Sequence, residues 1–326
     1  SAAPFADTWA EWNGPRVLAE LDHARDLGVN TIRIGIPYNT EQTFDVIWGD
    51  DQSMMIVGPW IKSQLTQLLQ IASAYGMKVI FVLFDFYDDH PPANTIQEKS
   101  NFAYIDGLVG AFANDDRVLA WDLSNEPENT PEWKNGRQSD YIDWLRRMAI
   151  HLRGVDSRHP ITVGVGNYQT LWYKSDHADT ILEISDFVQF HCYDAGNLTN
   201  QVNEIKARTK KPILLGEMGW PTSNGGQPPR PNTTFDEPTQ TYLYTTMLDQ
   251  AKAAKIAGVV QWSLYDFDDA KAHLVGGFER YFGLLRFDST PKPAYSIFKN
   301  NYTALELPSD TKTNIPLDTS DNPHTR

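Results

Sequence analysis

The sequence predicts an α/β fold, a (β/α)8 TIM barrel, on two observations. Short apolar, β-branched runs alternate with longer helical patterns along most of the chain, the mark of repeated βα units on a parallel sheet. The length, 326 residues, suits one such barrel around a single large core. The predicted catalytic domain covers residues 1–306, and the polar, Pro-containing stretch 307–326 reads as a tail or linker.

The elements follow in order. A helix over Pro15–Leu27 has Pro near its first turn and Gly28 at its end, and Pro59–Tyr75 is closed by Gly76. Between and after them lie the strands Thr31–Tyr38 (TIRIGIPY) and Val79–Phe86 (VIFVLFDF). Helix Lys99–Phe112 leads into strand Val118–Asn125 (VLAWDLSN), and helix Ser139–Arg153 into Ile161–Gly166 (ITVGVG). Strand Phe187–Tyr193 (FVQFHCY), helix Thr199–Thr209, strand Pro212–Gly219 (PILLGEMG), helix Glu237–Ala257, strand Val259–Phe267 (VVQWSLYDF) and helix Pro291–Asn300 complete the series.

Seven strands are one short of the barrel. A helix precedes the first of them, so the missing strand belongs in Ser1–Trp12, whose sequence SAAPFADTWAEW does not read as one. Either the natural start is absent or the barrel closes irregularly. Trp220–Pro238, rich in Pro, Gly, Asn and Thr, reads as an active-site loop, with a surface insertion as the alternative.

Composition excludes several function classes. A formal charge of −14 and a pI near 4.9 disfavour a phosphate-tracking surface, so nucleic acid is not an expected partner. Cys192 is the single cysteine, which rules out an internal disulfide and a Cys-based metal site. No run of about eighteen apolar residues is present to span a membrane. Ten Trp, fourteen Tyr and fifteen Phe suit a large core or a sugar-stacking cleft.

Chemistry is concentrated at two strand ends. Asp122-Leu-Ser-Asn-Glu-Pro127 carries an apolar strand directly into Glu126, at the end where barrel enzymes place their chemistry. A carboxylate there is either partnered or functional, because an unpaired buried charge is costly. Glu217 occupies the equivalent end of Ile213-Leu-Leu-Gly-Glu217. Glycoside hydrolysis with retention needs such a pair, one carboxyl as acid and one as nucleophile, about 5–5.5 Å apart.

Asn125-Glu126-Pro127, His191-x-Tyr193, Gly216-Glu217-x-Gly219-Trp220 and Trp262 resemble, in order, the motif series of clan A glycoside hydrolases. Family 5 and its near relatives are the nearest in pattern, from Arg33 to the ending Phe282-Gly-Leu-Leu-Arg-Phe-Asp-Ser-Thr-Pro-Lys-Pro-Ala294. The resemblance implies that Glu126 is acid/base and Glu217 nucleophile. It further implies that Asn125 binds the sugar 2-hydroxyl, Arg33 sits beneath the nucleophile, Tyr193 donates to Glu217, His191 bonds near the acid/base or the sugar, and Trp262 floors the −1 subsite.

One position departs from that pattern: Asp85-Phe86-Tyr87 stands where family 5 often has a His near the sugar. Tyr87 is read as its replacement, and Asp85 either as a sugar ligand or as the partner of a core Arg. Trp220, Trp172 and Trp48 are candidate sugar platforms. The loop after Trp262, with Asp266, Asp268, Asp269, Gly276 and Gly277, is a candidate cleft wall. Asp50-Asp51, Asp88-Asp89-His90 and Asp268-Asp269 lack the spaced ligand pattern of a calcium loop and read as solvated charge. No His-x-His occurs, which gives a metal-dependent hydrolase little support, Gly-rich phosphate loops are absent, and no cofactor is expected.

The expected function is a retaining β-glycoside hydrolase acting on β-linked glucan- or mannan-type poly- or oligosaccharides. Two alternatives stay open: an exo-acting β-glycosidase or transglycosylase with the same pair, and a non-catalytic carbohydrate-binding barrel. A monomeric, secreted protein is the accompanying expectation.

Overall fold

The computed structural model describes residues 12–38, 46–48, 55–85, 87, 89–226, 233–267 and 277–301. The chain divides into two compact units. The described residues of Thr31–Gln70 and Lys78–His191 form the first; those of Ser1–Asn30, Ile71–Met77 and Cys192–Ser320 form the second.

The first unit is built on five strands, β1 (Thr31–Pro37), β2 (Lys78–Asp85), β3 (Val118–Asn125), β4 (Ile161–Val165) and β5 (Val188–His191). Each pairs in parallel with the next, in registers that include Arg33 with Ile80, Phe81 with Trp121, Asp122 with Thr162 and Gly164 with Gln189. β2 is buried at every residue after Lys78, which is why its sequence is an unbroken apolar run from Val79 to Phe84 before Asp85. Helix Gln138–Val155 buries Tyr141, Trp144, Leu145, Met148 and Leu152, spaced three or four apart as a core-facing stripe requires. Helix Ile96–Phe112 starts three residues before the expected Lys99, because the Thr95 hydroxyl accepts from Glu98 N at 3.2 Å and caps it.

A short antiparallel ribbon, Val46–Trp48 against Met55–Val57, was not expected; strands of three residues are too short for periodicity to reveal. Trp48 lies in it.

In the second unit β6 (Ile213–Glu217) pairs in parallel with β7 (Gly258–Val259). The expected last strand, Val259–Phe267, is therefore much shorter. Val260 N still donates to Leu215 O and Trp262 N to Met218 O, both at 2.8 Å, but Tyr265 then bridges to Leu285 instead of β6. Helix Glu237–Ala253 stops four residues before the expected Ala257, with Lys255 left-handed at φ 50°. The last helix begins at Pro293, because Pro291 bridges Leu285.

The βα repeat of both units is that of the expected barrel. The stretch Ser1–Glu11, Asp50, Asp51, Asp88, Asp268, Asp269, Gly276 and the tail from residue 307 lie outside the described residues. Among those described, no helix is long and apolar enough to cross a membrane.

Asp266 corrects a sequence expectation: its carboxylate does not wall a cleft but is buried against Lys292, whose side chain is 1% exposed. Lys292 Nζ donates to Asp266 Oδ1 at 2.7 Å, Thr222 Oγ1 at 2.9 Å and Tyr281 O at 3.1 Å, fastening three loops. Lys292→Met leaves a buried carboxylate unpaired and should cost about 3–5 kcal/mol in denaturant unfolding. Adding Asp266→Leu should recover part of that loss; a single variant as stable as wild type would contradict the account.

Candidate active site

Glu126 follows β3 directly. Its backbone is left-handed, φ 45° and ψ 64°, a conformation that costs a non-glycine residue roughly 1–2 kcal/mol. Two bonds hold it there: Glu126 N donates to Gly164 O at 2.7 Å, and Asn129 N donates to Glu126 O at 2.9 Å, closing a short turn over Pro127–Asn129. The side chain, 22% exposed, then lies over Gly166, where an added Cβ would come within 2.8 Å of Oε1.

The two carboxylate oxygens are held differently. His191, at the end of β5, has Nδ1 2.7 Å from Oε1, and Asn129 Nδ2 donates to Oε2 at 2.6 Å. Burial pushes the Glu126 carboxyl up, but His191, Asn129 and the Arg33 charge outweigh it and hold the group below the ordinary glutamate value. The raised pKa that the acid role calls for is thus not present in the free protein.

Beneath this turn the strands carry a buried polar layer. Arg33 Nε donates to Asp122 Oδ2 at 2.9 Å, and its Nη2 donates to Asn125 Oδ1 at 2.7 Å. Asp122, wholly buried, also accepts from Gln189 Nε2 at 2.5 Å and Gly164 N at 3.0 Å. With its carbonyl oxygen taken by Arg33, Asn125 is left with its NH2 as the group that can meet a ligand oxygen. Asp122 and Gln189 were assigned no role from sequence. The signal for Asp122 was present: a carboxylate inside an apolar strand must find partners.

The second unit holds Glu217 at the end of β6, 9% exposed. Tyr193 donates its hydroxyl to Glu217 Oε2 at 2.6 Å, and Cys192 N donates to Glu217 O at 3.0 Å. Gly219 is glycine because the chain after Glu217 presses on the Trp262 backbone: an added Cβ would stand 2.1 Å from Trp262 O. The Trp262–Ser263 peptide is cis. Trp220 donates its indole N–H to Thr234 O at 2.9 Å and stacks on Phe235 at 6.0 Å. The stack runs on to Phe278 and Phe282, and Phe282 meets Tyr193 edge-on at 5.7 Å. The loop after β6 is thereby joined to the support of Glu217's hydrogen-bond donor.

The other candidates are placed as follows. Asp85 is buried, with its Oδ2 against Gly35, where a Cβ would lie 1.9 Å away. Tyr87 belongs to a buried aromatic cluster with Tyr38, Phe84, His90 and Trp144, and its hydroxyl accepts from Asn101 Nδ2 at 3.1 Å, so that oxygen already has a protein partner. Burial in the same cluster pushes the Tyr38 hydroxyl up to about 12. Within Asp88-Asp89-His90, Asp89 is exposed, but His90 is 2% exposed and burial drives its imidazole down to about 3, a neutral core ring. Trp172 ends a turn after β4, half-buried and edge-on to Tyr168 at 5.5 Å. Asn167 caps that turn and donates its N–H to Glu128 Oε1, tying it to the Glu126 turn.

Each unit thus holds a carboxyl at the C-terminal end of a parallel strand, the end at which barrel enzymes carry their chemistry. Residues 5–268 match the model of the cellulase family, glycosyl hydrolase family 5, and the chain belongs to that family. It is 24% identical over 241 residues to mannan endo-1,4-beta-mannosidase A of Emericella nidulans, covering 63% of this chain and 62% of that protein's length. Among solved structures it resembles an exo-beta-1,4-mannosidase from Opitutaceae bacterium strain TAV5 with a TM-score of 0.70 at 17% identity, over 90% of this chain and 56% of the other. It also resembles an endo-1,4-beta-mannanase from Rhizomucor miehei with a TM-score of 0.65 at 16% identity, over 90% and 91%. These likenesses show the barrel fold.

The electrostatics of Glu126 can be checked directly. In a 13C NMR titration of the free protein its carboxyl should titrate below the ordinary 4.5, and His191→Ala should move it upward by removing the bond to Oε1. An unchanged or lower value in the variant would contradict the assignment.

Proposed function

We propose that this chain is a retaining β-glycosidase of mannan-type substrates, with Glu126 as acid/base and Glu217 as nucleophile. The observation that carries the reading is a carboxyl at the C-terminal end of a parallel strand in each unit, Glu126 after β3 and Glu217 at the end of β6. Glu217 accepts a Tyr hydroxyl at 2.6 Å, and Glu126 has His191 Nδ1 2.7 Å from one carboxylate oxygen and Asn129 Nδ2 donating to the other at 2.6 Å. Double displacement needs two such carboxyls, one as acid/base and one as nucleophile.

In the first step a Glu217 oxygen forms a bond to the anomeric carbon as the bond to the leaving oxygen breaks. Glu126 gives its proton to that oxygen. In the second, Glu126 takes a proton from water, whose oxygen attacks the same carbon and releases Glu217 as carboxylate. Asn125, presenting its NH2, is assigned to the sugar 2-hydroxyl, and Trp262 to the floor beneath the sugar. Trp220 and Trp172 are assigned to further subsites.

The sequence leaves glucose and mannose open; the relative named as a mannan endo-mannosidase and the structures named as mannosidase and mannanase favour mannose. The activity is assigned to one catalytic domain over residues 1–306, working as a secreted monomer.

Sugar release from β-mannan, β-glucan, xylan and aryl β-glycosides tests this. Mannan and manno-oligosaccharides should be cleaved at least about 10-fold faster than the glucans, a margin within reach of contacts to one hydroxyl. Glu217→Ala should lose activity on the order of 10⁴-fold or more. A folded protein that binds sugar but releases none would favour the carbohydrate-binding barrel instead.

A further inference from the structure

Asn129 stands outside every motif singled out in the sequence, yet it is one of the two side chains bonded to the Glu126 carboxylate. The oxygens of that carboxylate are not equivalent. Oε1 faces inward, against Gly166 and 2.7 Å from His191 Nδ1, whose side chain is fully buried. Oε2 faces Asn129, an exposed residue at the last position of the turn that begins at Pro127. Oε2, beside the exposed Asn129, is the oxygen to which the proton bound for a leaving oxygen is assigned.

An amide suits this position for a chemical reason. Its NH2 donates to a carboxylate, and after rotation about its terminal bond its carbonyl oxygen accepts from a carboxylic acid O–H. One side chain can thus hold Oε2 in both protonation states that an acid/base passes through. The turn is short and closed by Asn129 N donating to Glu126 O at 2.9 Å, so the amide stays beside the carboxyl throughout.

We propose that Asn129 is a positioning residue that keeps Oε2 of Glu126 aimed at the leaving group, so that its contribution is confined to leaving groups that need a proton. This rests on the acid/base assignment made above. Sugar leaving groups need protonation as the bond breaks; a 2,4-dinitrophenolate, the anion of a strong phenol, does not.

The test compares kcat/KM for mannotriose and for 2,4-dinitrophenyl β-mannoside in wild type, Asn129→Ala and Glu126→Ala. Asn129→Ala should lose about 10- to 100-fold on mannotriose, below the full contribution of a general acid. On the dinitrophenyl glycoside it should change by less than about two-fold, because no proton transfer is left to misalign. A general disturbance of the site would lower both substrates together, and equal loss on both, or no loss on either, overturns the inference. Glu126→Ala separates the two layers of the argument. If it too discriminates between the substrates, the acid assignment stands and the Asn129 result is decisive; if it loses both equally, the acid assignment itself fails.

Discussion

The buried pair of Arg33 and Asp122 is the interaction on which the first unit's strand ends depend. Asp122 is wholly buried and Arg33 nearly so, and a charge in that position survives only if its lone pairs and N–H groups are filled. They are filled by four strands at once: Arg33 from β1, Asp122 and Asn125 from β3, Gly164 N from β4 and Gln189 from β5. The same bonds that satisfy the charges fix the end of β3, orient Asn125 and bring Gly164 O to the amide of Glu126. The left-handed backbone at Glu126 is affordable only on such a rigid base.

The second unit solves a different problem with different means. Glu217 needs a donor and a shielded setting, and receives them from a Tyr whose ring is backed by a run of aromatic side chains. Behind those rings the loops are fastened by a buried lysine rather than by regular sheet, which explains why β7 is so short without the site losing support. Aromatic stacking and one fully bonded ion pair take over where the strand ladder stops.

Where a residue's environment is set by its own segment, it is legible in the sequence. β3 keeps its expected bounds because an apolar run ending in Asn-Glu-Pro has no other way to be buried, and the strand end makes Glu126 stand out. The family pattern, read in order, pointed to the family that the chain proves to belong to. What stays hidden depends on side chains distant in sequence. Nothing in Asp85-Phe86-Tyr87 shows that the Tyr87 hydroxyl meets Asn101, or in the loop after Trp262 that Asp266 meets Lys292. Asn129 is hidden for the opposite reason: it is close to Glu126, but only the left-handed turn brings its amide back to the carboxylate.

The central claim, that Glu217 forms a bond to the sugar while Glu126 moves protons, is tested most directly by trapping that bond. A 2-deoxy-2-fluoro-β-mannosyl fluoride slows both steps but keeps its good leaving group, so the covalent species accumulates, and peptide mass spectrometry locates it. The account predicts one added sugar, on the peptide that carries Glu217. A sugar attached elsewhere, or turnover with inverted configuration and no adduct, would contradict it.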